Sequence, residues 1–216
     1  MESLASSKNT RYGAEKINEY LQMAQDALVK SIAVPRYADQ LRMMGFEATQ
    51  RNREDIKNIV VDDYDAKVEV KGDISYGYLP PDYLAHAASY FKVSGCNKRI
   101  RGYDVQKDDL HEENPFSRSS AQWMEINMEF IEKSRVKIYY PVEKYLLSYI
   151  RIPKKIWWTE KDYIGLDGEL VSGEQNCELD TIIHDDIVDF AAYLMSYSKN
   201  SSDLPTKLNH IKNIGI

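Results

Sequence analysis

The chain has 216 residues and a mass of 25.0 kDa, enough for a hydrophobic core that buries roughly 70% of the unfolded surface. Its 28 Lys plus Arg against 34 Asp plus Glu give a net charge of −6, the wrong sign for a dedicated nucleic-acid binder. No run approaches 18 apolar residues and Met1 to Lys8 has no apolar h-region, so neither a membrane span nor a signal peptide is expected. Cys96 and Cys177 lie far apart with no C-x-x-C, which argues against a disulfide scaffold and for a reducing compartment. One bias stands out. There are 16 Tyr against 5 Phe, and tyrosine suits surfaces that are buried against a partner yet touch water.

From Gly13 to Val34 the spacing of Ile17, Tyr20, Leu21, Ala24, Leu28 and Ile32 predicts an amphipathic helix, with Lys16, Glu19, Gln22, Gln25 and Asp26 on the opposite face. Pro35 stops it. A second helix is predicted from Arg36 to Met44 and a short charged helix or turn from Arg51 to Val60. Lys67-Val68-Glu69-Val70-Lys71 alternates as a strand and runs into the turn Gly72-Asp73. Leu79-Pro80-Pro81-Asp82 is a rigid lead into a new element, because proline disfavours helix in the residue before it. Ala85 to Val93 reads as strand or helix, and strands are expected on both sides of Gly102. A helical turn is predicted at Asp108 to Leu110 and a chain turn at Asn114-Pro115-Phe116-Ser117. The clearest strands are Trp123 to Phe130, Arg135 to Pro141 and Tyr145 to Ile152. Asp167-Gly168 and Ser172-Gly173 mark a polar loop. A closing helix from Asp185 to Ser198 buries Ile187, Phe190, Ala191, Leu194, Met195 and Ser198.

Helices first, strands next and a helix last argue for an α+β fold: N-terminal helices, a central antiparallel β-region, a closing helix and an extended tail. The expected divisions are an N-terminal helical region (1–60), a β-rich region (61–156), a loop with the closing helix (157–199) and a tail arm (200–216).

Catalytic equipment is sparse. No Walker A, G-x-G-x-x-G, G-x-S-x-G or H-E-x-x-H is present. His86, His111, His184 and His210 are scattered. His111-Glu112-Glu113 and His184-Asp185-Asp186 set carboxylates beside imidazoles, but adjacent side chains point apart. Asp62-Asp63-Tyr64-Asp65 lacks the glycine and final glutamate of a calcium loop and reads as a solvated linker. The basic spots, Lys98-Arg99-Ile100-Arg101 and Lys154-Lys155, are too short for a stacking groove. No catalytic residue, cofactor or metal ligand is assigned. The expected interface residues are Trp157 and Trp158, which face opposite sides of an extended segment, and Leu204, Leu208, Ile211 and Ile214, apolar positions on a tail too short to build its own core.

Several stretches carry a resemblance. Ile17-Asn18-Glu19-Tyr20-Leu21-Gln22-Met23-Ala24, Tyr78-Leu79-Pro80-Pro81-Asp82-Tyr83-Leu84 and Asn114-Pro115-Phe116-Ser117 occur in that order. Tyr145-Leu146-Leu147-Ser148-Tyr149-Ile150-Arg151-Ile152-Pro153-Lys154-Lys155-Ile156, then Cys177-Glu178-Leu179 and Ile187-Val188-Asp189-Phe190-Ala191-Ala192, follow. Together, over residues 14 to 198, they resemble the head-to-tail connector or neck ring (tail adaptor) structural proteins of short-tailed, crAss-like bacteriophages of gut Bacteroidetes.

The resemblance implies a virion protein of the phage neck, made in the host cytoplasm. It implies a ring homo-oligomer, taken as dodecameric, that meets the portal protein and adjacent neck or tail rings. DNA would pass through its lumen without sequence-specific binding, and no membrane is involved. An acidic balance suits such a lumen, because a basic wall would hold the phosphates. Two other readings stay open: another minor tail or capsid-associated virion protein, and a small soluble enzyme with an unrecognised site.

Overall fold

The computed structural model describes residues 13–33, 54–105, 118–132, 134–159, 162–165 and 168–197. The predicted helices at 36–44 and 108–110, the Asn114 turn and the tail at 200–216 lie outside them. The chain forms two compact units, one from Ile59–Ile152 and one that joins Met1–Asn58 to Pro153–Ile216.

The first unit is a single mixed sheet of eight strands. In chain order these are β1 (Val60–Ala66), β2 (Val68–Lys71), β3 (Ile74–Tyr78), β4 (Tyr83–Lys92), β5 (Ile100–Asp104), β6 (Glu125–Glu132), β7 (Arg135–Ile138) and β8 (Lys144–Arg151). Their spatial order is β1-β8-β4-β5-β6-β7-β3-β2. All neighbours are antiparallel except β5 and β6, which run parallel. The expected antiparallel β-region thus contains one parallel pair. The run of acids at Asp62 to Asp65 is strand β1 rather than a linker, and β3 buries its small residues Ser75 and Gly77 while Ile74, Tyr76 and Tyr78 are only half-buried.

β1 and β2 stand at opposite edges, yet only Lys67 separates them in the chain. The sheet must therefore curl until its edges meet at that corner, and Tyr78 N–H donates to the Lys67 carbonyl there at 3.0 Å. The concave face closes over one core, including Phe91, Ile100, Ile126, Met128, Val136, Ile138, Tyr145 and Leu147. Two glycines make the curl possible. A Cβ at Gly77 on β3 would stand 2.5 and 2.8 Å from ring carbons of Tyr145 on β8, a strand that β3 does not pair with. One at Gly102 would stand 2.7 Å from the Phe91 ring and 2.9 Å from Ser89 Cβ. Bulges in β1 opposite β8, and in β4 opposite β8, add local bend. At the first, Asp63 takes φ +53° and its side chain holds Arg99 through two 2.8 Å contacts.

In the second unit, α1 (Ala14–Ala33) packs on α2 (His184–Tyr197). Ala24, Leu28 and Val29 meet this interface from α1, and Ile187 and Ala191 are buried on α2. The closing helix thus follows its predicted stripe at these positions. α1 follows its stripe at Ala24 and Leu28 but departs from it elsewhere: Ile17 is exposed, whereas Asn18 and Gln25 are buried. Residues 157–175, read as a tryptophan pair and a polar loop, are a nested hairpin. β9 (Trp157–Trp158) pairs with β12 (Glu174–Gln175), and inside them β10 (Tyr163–Ile164) pairs with β11 (Leu170–Val171).

The curl predicts a specific sensitivity. Gly77→Ala should cost about 1–3 kcal/mol, because the methyl meets a fully buried aromatic ring. Urea unfolding checks this; a midpoint equal to that of the wild type would mean β3 and β8 do not close on each other.

Candidate functional site

Three groups of side chains could carry function. The first is polar and internal. The bulge between His86 and Ala88 shifts the register of β4, so His86 and Ser89, of opposite parity, come together. His86 Nε2 lies 2.9 Å from Ser89 Oγ, which lies 3.1 Å from the Tyr145 hydroxyl. Burial pulls the His86 pKa below its ordinary value, against an opposing pull from Asp104. Burial raises the Asp104 carboxyl, while His86 draws it down. It also lifts the Tyr145 phenol to about 12. A serine paired with a histidine near a carboxylate is the arrangement of an activated nucleophile. Here, however, Ser89 is 1% exposed and its hydroxyl is shared with Tyr145. A substrate could not reach it. The cluster satisfies polar groups that the curl has forced inside.

The second group is the convex face of β2, β3 and β7. Arg135 sits over Tyr76 and Tyr78 at 5.2 and 5.8 Å, and Lys137 over Tyr139 at 4.4 Å. Tyr78 and Tyr139 donate to Glu69 and Glu129 at 2.9 and 2.6 Å. The tyrosine excess thus divides between core rings, such as Tyr145 and Tyr149, and rings that hold surface cations. The basic spots are occupied within the fold. Arg99 holds Asp63, Ile100 is buried, and Lys154 pairs with Glu178 at 3.0 Å.

The third group is the hairpin arm and its mount. On α1, Asn18, Gln22 and Gln25 recur at i, i+4 and i+7 and so share one face. Their amides bond the backbone of the extended segment before and into β9. Gln25 Nε2 donates to the Lys154 carbonyl at 3.2 Å and Gln22 Nε2 to that of Ile156 at 3.2 Å. Asn18 donates to the Trp158 carbonyl at 2.9 Å and accepts from its N–H at 3.1 Å. Alternate carbonyls of an extended chain and successive turns of a helix have similar spacing, so the helix acts as the neighbouring strand this segment lacks. Asn18 Nδ2 also donates to the Tyr163 hydroxyl at 2.9 Å. Reading Gln22 and Gln25 as a solvent face missed this, because an amide is polar in any environment and only its partner reveals that it is buried.

Trp157 is half-buried and its indole N–H donates to the Ser172 carbonyl at 3.3 Å; Trp158 is 54% exposed. The two therefore differ in exposure as adjacent residues of a strand should. The tail positions Leu204, Leu208, Ile211 and Ile214 lie outside the described residues. Sequence reasoning missed Ile164 and Leu170, both largely exposed on the arm, since no periodicity marks two-residue strands. Among the described residues no three His, Cys, Asp or Glu converge as a metal site, and no helix is long and apolar enough to cross a membrane. Cys96 and Cys177 are free thiols.

The arm displays Ile164 and Leu170, while Ser89 of the polar cluster is buried. Residues 1–207 match the phage tail ring protein 3/4 family. The chain is also similar to Ring protein 3 of Bacteroides phage crAss001, 28% identical over 200 residues that cover 83% of each chain. The chain belongs to the phage tail ring protein 3/4 family and is a structural protein of the phage tail.

Two predictions follow from the mount and the cluster. Asn18→Ala leaves both polar groups of Trp158 without their side-chain partner and should cost about 1–3 kcal/mol, with faster amide exchange at Trp158. Unchanged melting and exchange would mean α1 does not hold the arm. For His86, the unfolded imidazole takes its proton near its ordinary pKa of about 6.5, whereas the folded one resists until lower pH. Stability should therefore be full above that value and fall as pH drops below it. Urea midpoints at pH 7.5 and 5.5 should differ more for the wild type than for His86→Gln; equal differences would exclude His86 as the cause.

Proposed function

We propose that this chain is one subunit of a closed ring in the phage neck that joins the portal to the tail and lets DNA pass. The observation that supports this reading is the extent of the match to the tail ring family, residues 1–207, nearly the whole chain. The ring is a homo-oligomer, taken as dodecameric, with the portal protein and adjacent neck or tail rings as partners. The subunit is made in the host cytoplasm and ends in the virion. It has no catalytic task, which the burial of Ser89 supports. The net charge of −6 favours free passage of DNA over retention. Trp157, Trp158 and the tail residues Leu204, Leu208, Ile211 and Ile214 belong to the interfaces of this assembly.

The 1–60, 61–156, 157–199 and 200–216 divisions translate into roles. The β-rich region is the rigid body, and the arm and tail are the parts that reach neighbours. A ring is built from heterologous contacts that close by rotation. The free subunit should self-associate weakly and form rings on particles that carry the portal. Sedimentation of the purified chain, with electron microscopy of particles bearing a tagged copy, tests this. A stable two-fold dimer that never joins portal-bearing particles would overturn the neck-ring reading.

A further inference from the structure

An open strand edge offers its backbone donors and acceptors to any second chain, and folded proteins cover such edges. We propose that α1 is an edge guard: Asn18, Gln22 and Gln25 keep the outer edge of the segment from Lys154 to Trp158 from pairing with the same edge of a second copy. The inference holds whether or not the subunit enters a ring.

The segment has two edges, and each is covered by a different element. On one side β9 pairs with β12, Gln175 opposite Trp157 and Glu174 opposite Trp158. Just past β9 the Thr159 N–H donates to the Gly173 carbonyl at 3.1 Å on that side. Backbone groups alternate along a strand, so those of Trp158 point to the other edge. There Asn18 takes both. Its Nδ2 donates to the Trp158 carbonyl at 2.9 Å, and its Oδ1 accepts from the Trp158 N–H at 3.1 Å. A strand residue makes the same two-way exchange with its antiparallel partner. Gln22 and Gln25 take the next alternate carbonyls, those of Ile156 and Lys154, at 3.2 Å each.

The choice of side chains separates this role from packing alone. Asn18 is 3% and Gln25 1% exposed, as deeply buried as Leu28 and Val29 on the same helix. Aliphatic residues at these positions would exclude water but leave the carbonyls unpaired. Amides exclude water and occupy the edge together.

A second copy fits the edge that these amides hold. Ile156, Trp157 and Trp158 are residue types that favour strands. The backbone groups at the outer edge come from Lys154, Ile156 and Trp158. A two-fold axis at Ile156 would therefore set two copies antiparallel, Ile156 against Ile156 and Lys154 against Trp158. No like charges then stand directly opposite, and Lys154 already holds Glu178 at 3.0 Å. Such a pair closes on itself and adds no third copy.

The test uses full-length chains. The triple variant Asn18→Ala, Gln22→Ala, Gln25→Ala retains good helix formers throughout α1. Sedimentation should show it dimeric at concentrations at least tenfold below any at which the wild type self-associates. Asn18→Ala alone, which keeps both glutamines, should dimerise in the same way at higher concentration, and it serves if the triple variant does not fold. Exchange of the Trp158 amide, fast in either variant when dilute, should slow as concentration rises. Adding Trp158→Pro removes an edge N–H that β12 does not use and should restore the monomer. In a Cys96→Ser, Cys177→Ser background, Ile156→Cys should oxidise to a covalent dimer with Asn18→Ala and not with the guard intact.

A folded variant that stays monomeric at every concentration, with Trp158 exchange independent of concentration, overturns the guard; the amides then serve stability alone. Association that survives Trp158→Pro, or that gives no covalent dimer through Ile156→Cys, places the contact elsewhere and overturns it as well.

Discussion

Ala66 ends one edge of the eight-stranded sheet and Val68 begins the other, with Lys67 alone between them. That covalent constraint organises the first unit. One residue spans under 4 Å per peptide step, so the edges cannot lie apart and the sheet must bend into a near-closed wall. Everything inside then has to fit a concave space. Gly77 and Gly102 yield room to Tyr145, Phe91 and Ser89. Tyr145 pairs its ring with Phe91 at 5.2 Å and needs a partner for its hydroxyl, which Ser89 provides. Ser89 in turn engages His86, which the bulge in β4 has brought onto the same side. A second buried serine solves a similar problem at the other end. Ser75 Oγ donates to the Tyr140 carbonyl at 2.9 Å and accepts from Val142 N–H at 3.0 Å, stitching the bend between β7 and β8.

The second unit solves a different problem by similar means. An extended segment without a strand beside it exposes its backbone donors and acceptors, which cost free energy when buried. Three amides on α1 answer these groups from Lys154 to Trp158. The helix thereby gives the arm a fixed base while its own apolar residues pack on α2. Asp180 caps the turn before α2, accepting from Ile182 N–H at 3.2 Å, and that bond with nearby Lys57 keeps its carboxyl acidic.

The chemistry that resembles catalysis and the exposed apolar side chains arise from opposite demands. The bulge in β4 brings His86 to Ser89, and the burial of Ser89 keeps its hydroxyl from solvent. Ile164, Leu170 and Trp158 carry no reactive group, yet like Trp123 and Ile182 they stand largely in water.

Much of this was legible in the residues. The spacing of Ile187 and Ala191 identified the buried line of α2, the double proline marked the start of a new element, which is β4, and Val136 and Ile138 shared the face that β7 buries. The ordered stretches from Ile17 to Ala192 resemble those of phage ring proteins. Local pattern works where one periodicity and one solvent boundary decide a residue's environment. It did not work where a distant partner decides. Gln25 is buried because a carbonyl 129 positions away needs a donor, and Gly77 is required because Tyr145 arrives from a strand it does not pair with. The eight-strand order, with its one parallel pair, and the outward placement of Ile164 and Leu170 belong to the same class. Sequence determined which segments could form helices and strands and what class of protein they compose; tertiary structure alone decided which polar groups turn inward and which apolar ones stay out, because those choices depend on contacts between residues far apart in the chain.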